Sequence, residues 1–249
     1  MFDRILTALP VYNEAQHVPQ VLQSVLQHAD DVLVVNDGST DGTLDALQAF
    51  QSDIHVESHP TNRGYGGALK TAFDYAVRYG YDVLVTIDCD GQHQPGMIRQ
   101  IADAVNDAEQ PVDMVSGSRY LRPFDQNSQA PADRRRINRH ITNCLNQKLG
   151  FQITDAFCGF KAYRVSSLVD LDITDFGYAM PLQLWIQAAD LGWHIKEFAV
   201  PLVYLDEDRS FGGSLDDAAV RLAHYREILN KELSRRGMKQ RFTSECGQQ

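Results

Sequence analysis

The chain is short of cysteines and has no long apolar run. Its four cysteines, among 249 residues, have neither the paired spacing of a zinc site nor the density of a disulfide framework. We therefore expect reduced thiols and a cytoplasmic location. No apolar segment approaches the roughly 20 residues that a membrane-spanning helix needs. Because residues 1–4 lead directly into an apolar strand pattern, we expect no signal peptide.

Positive charge is scarce as well. The chain carries 23 Lys and Arg against 33 Asp and Glu, which gives a formal net charge of −10. This balance argues against a sequence-independent nucleic-acid binder, because such proteins hold the phosphate backbone with Lys and Arg. It also disfavours broad attachment to anionic lipid, although a local basic patch could still serve that purpose. The length suits one large α/β domain.

The first half of the chain alternates strand and helix patterns. Helices of this length between strands indicate right-handed βαβ units and a mostly parallel central sheet with helices on both faces. Short apolar runs predict strands, and apolar positions three to four residues apart predict helices. The predicted strands cover residues 4–9, 31–35, 54–57, 83–87 and 114–118, and the predicted helices cover 18–28, 43–50, 68–79 and 97–108.

The second half is less regular and predicts a mixed C-terminal extension of that sheet. The helix predicted at 134–149 has one apolar face and a rim of arginines, a pattern that suits a membrane surface. The end of the chain, from residue 236 to 249, is expected to form a flexible tail. The remaining predicted elements are strands at 160–163 and 195–203 and helices at 181–191 and 215–233.

The most informative segment joins a predicted buried strand, residues 83–87, to two carboxylates, Asp88 and Asp90. Open α/β sheets bind ligands at the carboxyl ends of their strands. Burying unpaired carboxylates is costly, so this pair needs a cation or solvent. A hard divalent ion takes one or two carboxylates and completes its shell with water and substrate phosphates. The alternative is a strand end followed by an ordinary Asp-Gly turn.

Two more predicted strands end in polar clusters, at residues 10–14 and 36–42. Neighbouring parallel strands would bring all three ends to one edge of the sheet. Tyr12 offers a ring on which a base can stack, while Glu14 and Asp37 offer acceptors for base or ribose donors. The cluster at 36–42 could equally be a capped turn.

A glycine-rich segment at 62–67 is similar to a phosphate-binding loop. It follows the third predicted strand, however, and Leu69 stands at the third glycine position of a dinucleotide-binding fingerprint. A Rossmann dehydrogenase is therefore not expected.

Taken together, these motifs resemble those of the family 2 glycosyltransferases, which have the GT-A (nucleotide-diphospho-sugar transferase) fold. The matching motifs occur in order at residues 8–14, 34–43, 62–66, 88–93 and 117–120. The resemblance implies one catalytic domain over residues 1–235, with a nucleotide-binding half at 1–122 and an acceptor-side half at 123–235. Within the family, the closest likeness is to polyprenyl-phosphate (dolichyl-phosphate) mannosyl- and glucosyltransferases. Segments similar to later motifs of those enzymes lie at 155–163, 197–201 and 209–214.

The resemblance also implies a role for individual residues. Asp88, Asp90 and Gln92 would hold Mg²⁺ or Mn²⁺, which neutralises the departing diphosphate. The nucleoside of the nucleotide-sugar donor would be held by Pro10, Tyr12, Glu14 and Asp37. Phosphate groups of donor or acceptor would be bound by Arg119, by Arg134 or Arg135, and by Arg209. The catalytic residues would be Asp88, Asp90 and Arg119.

Each arginine has an alternative explanation. Arg119 could simply pair with a nearby carboxylate, and the arginines at 134–136 could form a solvated helix face. Arg209 stands among three acidic residues at 206–208 and could belong to a surface ion pair.

The acceptor follows from the same resemblance, which implies a single displacement with inversion. A lipid monophosphate, with a second pKa near 6, is largely anionic at neutral pH and needs no general base. A sugar hydroxyl would need a carboxylate to take its proton, and residues 178–185, where hydroxyl-directed relatives place that base, contain no acid. This favours a polyprenyl phosphate. Two departures from the pattern of those enzymes weaken the case for a phosphate acceptor. They usually have Glu in the stretch that Gln183 occupies here. They usually have Lys where this chain has Asp216 and Asp217.

Other function classes remain open at this stage. A nucleotidyltransferase would need a glycine-rich, lysine-bearing loop after the first strand, which residues 11–14 do not provide. A non-catalytic sugar-nucleotide binder would keep Tyr12 and Asp37 but lose the metal ligands. A partner-binding module, or a homo-oligomer, would use the apolar face at 137–149. The expected location is cytoplasmic, at the inner face of the membrane.

Overall fold

The central strands of the sheet are short and are buried on both faces, where helices cover them. The computed structural model describes residues 4–106, 111–125, 128, 130–203, 213–239, 241–243 and 246. Its strands are β1 (Ile5–Val11), β2 (Asp31–Asn36), β3 (His55–Ser58), β4 (Val83–Thr86), β5 (Met114–Ser118), β6 (Lys161–Arg164) and β7 (Ile195–Ala199). They form one seven-stranded sheet in the order β3-β2-β1-β4-β6-β5-β7.

Helices cover both faces of the sheet, as predicted. They are α1 (Val18–Val25), α2 (Thr43–Gln48), α3 (Tyr65–Arg78), α4 (Ile98–Asp103), α5 (Ala132–Leu149), α6 (Val165–Leu168), α7 (Met180–Asp190) and α8 (Ala218–Arg235), with short 3₁₀ turns at Pro95–Met97 and Gly213–Asp216. Alternate strand residues point to opposite sides. Leu84 therefore packs with α3, α5, α7 and α8, while Val85 packs with α1 and α4. Within the described residues, none of these helices has both the length and the apolar character to cross a bilayer.

The mixed part of the sheet lies beyond a parallel half of four strands, β3-β2-β1-β4, as predicted. Strands β1 to β4 pair in parallel, and β5 and β7 pair in parallel. Strand β6 runs antiparallel between β4 and β5, with Lys161 opposite both Thr86 and Ser116. The predicted mixed extension is confirmed, and its strand β6 lies between β4 and β5. The consequence is that β6 begins at the edge of the sheet where β4 and β5 end.

Strand β1 continues two residues past the predicted stop and includes Pro10. Proline removes a backbone donor and normally ends a central strand. The backbone of Ala8 faces β4, where its carbonyl accepts from the N–H of Ile87. Pro10, two residues further along, also faces β4. Because β4 ends at Thr86, no carbonyl of β4 needs an N–H donor from Pro10. The missing N–H therefore costs no sheet bond, and the strand reaches Val11.

The glycine-rich segment is the start of a helix and not an open phosphate-binding loop. Helix α3 already begins at Tyr65, so Gly66 and Gly67 lie in its first turn. A Cβ added to Gly66 would lie 2.6 Å from the carbonyl oxygen of Asp175 and 2.6 Å from the Cβ of Met180. These glycines thus allow α3 to pack closely against the segment that leads into α7.

The C-terminal helix α8 is fixed to α7 by a buried acid. Glu232 is 2% exposed, and its oxygens accept hydrogen bonds from the side-chain amides of Gln183 at 2.7 Å and Gln187 at 2.9 Å. Arg235 also donates to both Glu232 oxygens, at 2.8 and 2.7 Å. Burial acts to raise the pKa of Glu232, but these hydrogen bonds and the charge of Arg235 lower it below its ordinary value of 4.5.

The described part of the predicted tail packs against the body of the protein. Phe242 is buried, and its backbone N–H and carbonyl bond to the side chain of Asn230 at 2.8 and 2.9 Å. Cys246 is also buried in the core. Phe242 and Cys246, which lie in the segment expected to form a flexible tail, therefore pack against the body of the protein.

Replacing Gly66 with alanine should destabilise the protein by about 1–3 kcal/mol, because the new methyl group overlaps backbone and Cβ atoms that cannot move independently. Chemical denaturation would measure the loss. The same substitution at Gly96, where the nearest side-chain atom to an added Cβ is 3.7 Å away, serves as the control. Equal stability of the two variants would contradict this packing role.

Glu232→Gln should lower the free energy of unfolding at neutral pH by about 3 kcal/mol, because it removes the buried charge that Arg235 faces. Since the folded pKa is depressed, the stabilisation is present above about pH 4.5 and is lost as the pH falls through the folded pKa. Denaturation of both proteins from pH 7 to pH 3 should therefore show the difference shrinking. Glu227→Gln, on the exposed face of α8, should change stability by less than about 0.5 kcal/mol at any of these pH values.

Candidate functional site

A cleft of about 300 Å³ opens where β1, β2 and β4 end. The three polar clusters of the sequence meet there, because β1 lies between β2 and β4 in the sheet. Among the predicted site residues, those that line the cleft are Pro10, Tyr12, Glu14, Asp37, Asp88, Asp90, Gln92, Arg119 and Arg134. Arg135 is exposed on α5, away from the lining, and Arg209 lies outside the described residues.

Asp88 and Asp90 follow β4 at the centre of the cleft. The hydroxyl of Tyr65 donates to Asp88 Oδ1 at 3.0 Å, and His93 Nε2 lies 3.2 Å from Asp88 Oδ2. Asp90 Oδ1 accepts from the backbone N–H of Gln92 at 3.0 Å. Cys89, between the two acids, is buried in the core, as expected.

These oxygens suit a hard divalent cation that shares its shell with a substrate. Asp88 and Asp90 both line the cleft, and Gln92 adds a side-chain oxygen beside them. The described residues contain no group of three or more His, Cys, Asp or Glu side chains suited to enclosing a metal. Mg²⁺ and Mn²⁺ accept such a site, because they keep water and phosphate oxygens in their shell. The donor set therefore fits a metal brought in with a diphosphate.

The loops after β1 and β2 hold each other in place. The side chain of Asn13, the one described non-glycine residue with positive φ, accepts from the N–H of Thr40 at 2.8 Å. Its own N–H donates to Ser39 Oγ at 3.0 Å. Tyr12 next to it is 43% exposed, with its ring at the cleft. The carboxylate of Glu14 lies 2.7 Å from His17 Nδ1.

Asp37 also holds the neighbouring backbone in place, a role that the sequence did not reveal. It is 2% exposed, and its oxygens accept from the N–H groups of Arg63 at 2.9 Å and Gly64 at 2.8 Å. His59 Nδ1 lies 2.5 Å from Oδ1. Asp37 thus anchors the turn into α3 and also lines the cleft.

Arg119, after β5, is oriented by a buried acid. Its Nε and Nη2 donate to the two oxygens of Asp155 at 2.7 and 3.0 Å, and Asp155 is fully buried. Burial acts to raise the pKa of Asp155, but the charge of Arg119 and hydrogen bonds from Arg119 and Asn138 lower it to about 2. Arg119 therefore pairs with a nearby carboxylate, as the alternative explanation predicted, and it also lines the cleft.

The opposite wall of the cleft comes from helices α5, α7 and α8. It is formed by Arg134, Ile137, Asn138, Met180, Pro181, Leu184, Arg221 and Tyr225. No carboxylate lines this wall in the described part of the chain. The four lining carboxylates belong to Glu14, Asp37, Asp88 and Asp90, all after β1, β2 or β4.

Two lining cations were not predicted as site residues. Arg221 of α8 is 2% exposed and donates to Asp133 Oδ2 at 2.5 Å and to the Leu215 carbonyl at 2.7 Å. Lys161 is 3% exposed, and its Nζ donates to Ser116 Oγ at 2.6 Å; burial lowers its pKa. Lys161 could have been identified from the sequence, because it lies in the motif at 155–163. Arg221 could not, because it is one of many charged residues on a predicted helix.

Comparison with known proteins agrees with this geometry. Residues 7–171 match the model of the glycosyl transferase family 2. The chain is 34% identical to an undecaprenyl-phosphate mannosyltransferase of Micrococcus luteus, over 89% of this chain and 93% of the relative. It is 31% identical to a polyprenol monophosphomannose synthase of Mycolicibacterium smegmatis, over 90% of this chain and 87% of that protein.

A solved structure shows the same fold. Glucosyl-3-phosphoglycerate synthase from Mycobacterium tuberculosis, in complex with Mn²⁺, UDP-glucose and phosphoglyceric acid, superposes with a TM-score of 0.70. The match covers 96% of this chain and 81% of that one at 21% identity, so it establishes the GT-A fold alone. The family match and the two relatives show that this chain is an enzyme of glycosyltransferase family 2.

Proposed function

We propose that this enzyme transfers a mannosyl group from a nucleotide-diphosphate sugar of the GDP-mannose type to a polyprenyl phosphate, with inversion and with Mg²⁺ or Mn²⁺. One observation carries the proposal. Every carboxylate of the described cleft lining lies on the strand side, whereas the helical wall carries Arg134 and Arg221 and no acid. A wall of this kind suits an anionic nucleophile. The names of the two relatives, which contain mannose and a polyprenyl phosphate, support the same choice.

The strand side of the cleft suits the donor. Tyr12 presents a half-exposed ring for the base, and Glu14 and Asp37 present acceptor oxygens for base or ribose. Pro10 shapes the cleft wall beside them. We assign the nucleotide to residues 1–122 and the acceptor to residues 123–235, within one catalytic domain. GDP-mannose is the preferred donor, and UDP-glucose is the competitor to test.

Asp88 and Asp90, with Gln92, would hold the divalent cation, which withdraws charge from the diphosphate as it leaves. The two carboxylates are held by hydrogen bonds just after β4, where they would bind the cation. Arg119 lines the same cleft and keeps its orientation through Asp155. Its remaining N–H donors can bind a phosphate oxygen of donor or acceptor.

On the helical wall, the acceptor phosphate needs binding and orientation but no general base. With a second pKa near 6, it is largely anionic at neutral pH. One of its oxygens forms the new bond to the anomeric carbon while the bond from that carbon to the nucleoside diphosphate breaks. A sugar hydroxyl would leave a proton to remove, and the described helical wall offers no carboxylate for it.

We further infer that the enzyme is cytoplasmic and binds the inner face of the membrane through α5. The helix exposes Arg135, Arg136 and Arg139 next to Arg134 at the cleft. Such a basic rim attracts anionic lipid head groups by about 1 kcal/mol for each cation near the surface. Arg135 is thereby assigned to the membrane surface, and Arg134 to the phosphate.

The donor assignment predicts thermal stabilisation by GDP or GDP-mannose only when Mn²⁺ or Mg²⁺ is present. At ligand concentrations of 100 times Kd, linkage gives about 2.7 kcal/mol, or several degrees in melting temperature. Asp88→Asn and Asp90→Asn should lose the metal-dependent part of the shift. Asp103→Asn, on the exposed face of α4, should keep it. A wild-type protein with the same melting temperature under all conditions would contradict the donor assignment.

The acceptor assignment predicts that Arg134→Ala lowers kcat/KM for polyprenyl phosphate by roughly 10- to 100-fold, the usual effect of losing a charge-assisted hydrogen bond. Hydrolysis of the sugar nucleotide in the absence of acceptor should change by less than threefold. Arg135→Ala is the matched control in detergent solution, because its side chain lies outside the cleft. If Arg134→Ala impaired both reactions equally, the phosphate role would be wrong.

A further inference from the structure

Three elements fix the orientation of the Asp88 carboxylate. Tyr65, the first residue of α3, donates its hydroxyl hydrogen to Oδ1 at 3.0 Å. His93, in the turn after β4, places Nε2 3.2 Å from Oδ2. On a third side, the backbone of Gly159 comes so close that an added Cβ would lie 2.2 Å from Oδ2. The carboxylate is therefore confined between two donors and a backbone segment.

Tyr65 is itself held rigidly. Its ring stacks on that of Tyr178, with centroids 6.0 Å apart and an angle of 16° between the planes. The neighbouring Gly66 packs directly against Asp175 and Met180, which prevents α3 from sliding. Its hydroxyl is therefore held in the position from which it donates to Asp88.

We propose that Tyr65 is a positioning residue for the metal site, which holds Asp88 in the orientation that binds the divalent cation. The inference rests on the proposed function, because it assigns Asp88 to the metal. Hydrogen-bond partners of ligating groups orient those groups, and their loss typically weakens metal binding by 10- to 100-fold. Tyr65 acts through Asp88 and needs no contact with the reacting atoms.

The ring of Tyr65 also connects the Asp88 carboxylate to the segment before α7. Tyr178 lines the same cleft and lies two residues before α7, the helix that supplies Met180, Pro181 and Leu184 to the acceptor wall. Tyr65 therefore joins the donor-side carboxylate to the acceptor-side wall through one hydrogen bond and one ring contact.

Tyr65→Phe provides a direct test, because it removes the hydroxyl and keeps the ring that stacks on Tyr178. Mn²⁺ binding would be titrated by electron paramagnetic resonance, with Mn²⁺ alone and with Mn²⁺ plus GDP. The dissociation constant for Mn²⁺ should rise by about tenfold. In transfer assays, the Mn²⁺ concentration for half-maximal rate should rise likewise, and kcat at saturating Mn²⁺ should stay within about threefold. Melting temperatures measured without metal would show that the variant is folded.

Tyr75→Phe is the matched control, since Tyr75 lies on the same helix and its ring contacts Tyr79 and Tyr81, away from Asp88. It should bind Mn²⁺ as the wild type does. Wild-type affinity in Tyr65→Phe, or an equal loss in both variants, would overturn the positioning role. Absence of Mn²⁺ binding in the wild-type protein with GDP would instead contradict the proposed metal-dependent function, so the two failures are distinguishable.

Discussion

The site depends on strand β6 running antiparallel between β4 and β5. Because it runs in this direction, β6 begins at the edge where its two neighbours end, and the residues just before it enter the cleft. The hydroxyl of Thr86 donates to the carbonyl of Gly159 at 2.8 Å, which fixes that entry point beside Asp88. The same segment carries Asp155 to Arg119. A parallel strand in this place would bring its opposite end to the edge, and neither contact would form.

The carboxylates that line the cleft follow β1, β2 and β4, and two of the lining arginines are each paired with an acid. Arg119 is fixed by Asp155, and Arg221 is fixed by Asp133. The pair with Asp155 uses only part of the donors of Arg119, so it sets the orientation of the guanidinium and leaves N–H groups for a ligand. After β4, the carboxylate of Asp88 has partners at both oxygens. Charged groups held in this way bind without the entropy cost of ordering long side chains.

The packing of α7 on α8 also explains a departure from the family pattern. Gln183 lies in the stretch where lipid-phosphate enzymes usually have Glu, and this absence weakened the case for a phosphate acceptor. In the folded protein, Gln183 is turned away from the cleft, and its amide donates to Glu232 of α8. An acid does occupy this buried position, but it comes from a different helix. The glutamine at position 183 therefore serves to fix α7 to α8, and the helical wall of the cleft has no acid among the described residues.

The sequence by itself determined the alternation of strands and helices, the strand ends that carry Asp37, Asp88 and Asp90, and the family. These features are local, because they follow from periodicity and from polar residues that immediately follow apolar runs. Only the tertiary structure decided the place of β6, the helical start of the glycine-rich segment, and the burial of Phe242 and Cys246. It also decided that Arg134 lines the cleft while Arg135 points outward, and that Arg221 joins them from a helix more than 80 residues away in sequence. Such relations depend on which distant segments pack together, and no local pattern encodes that choice.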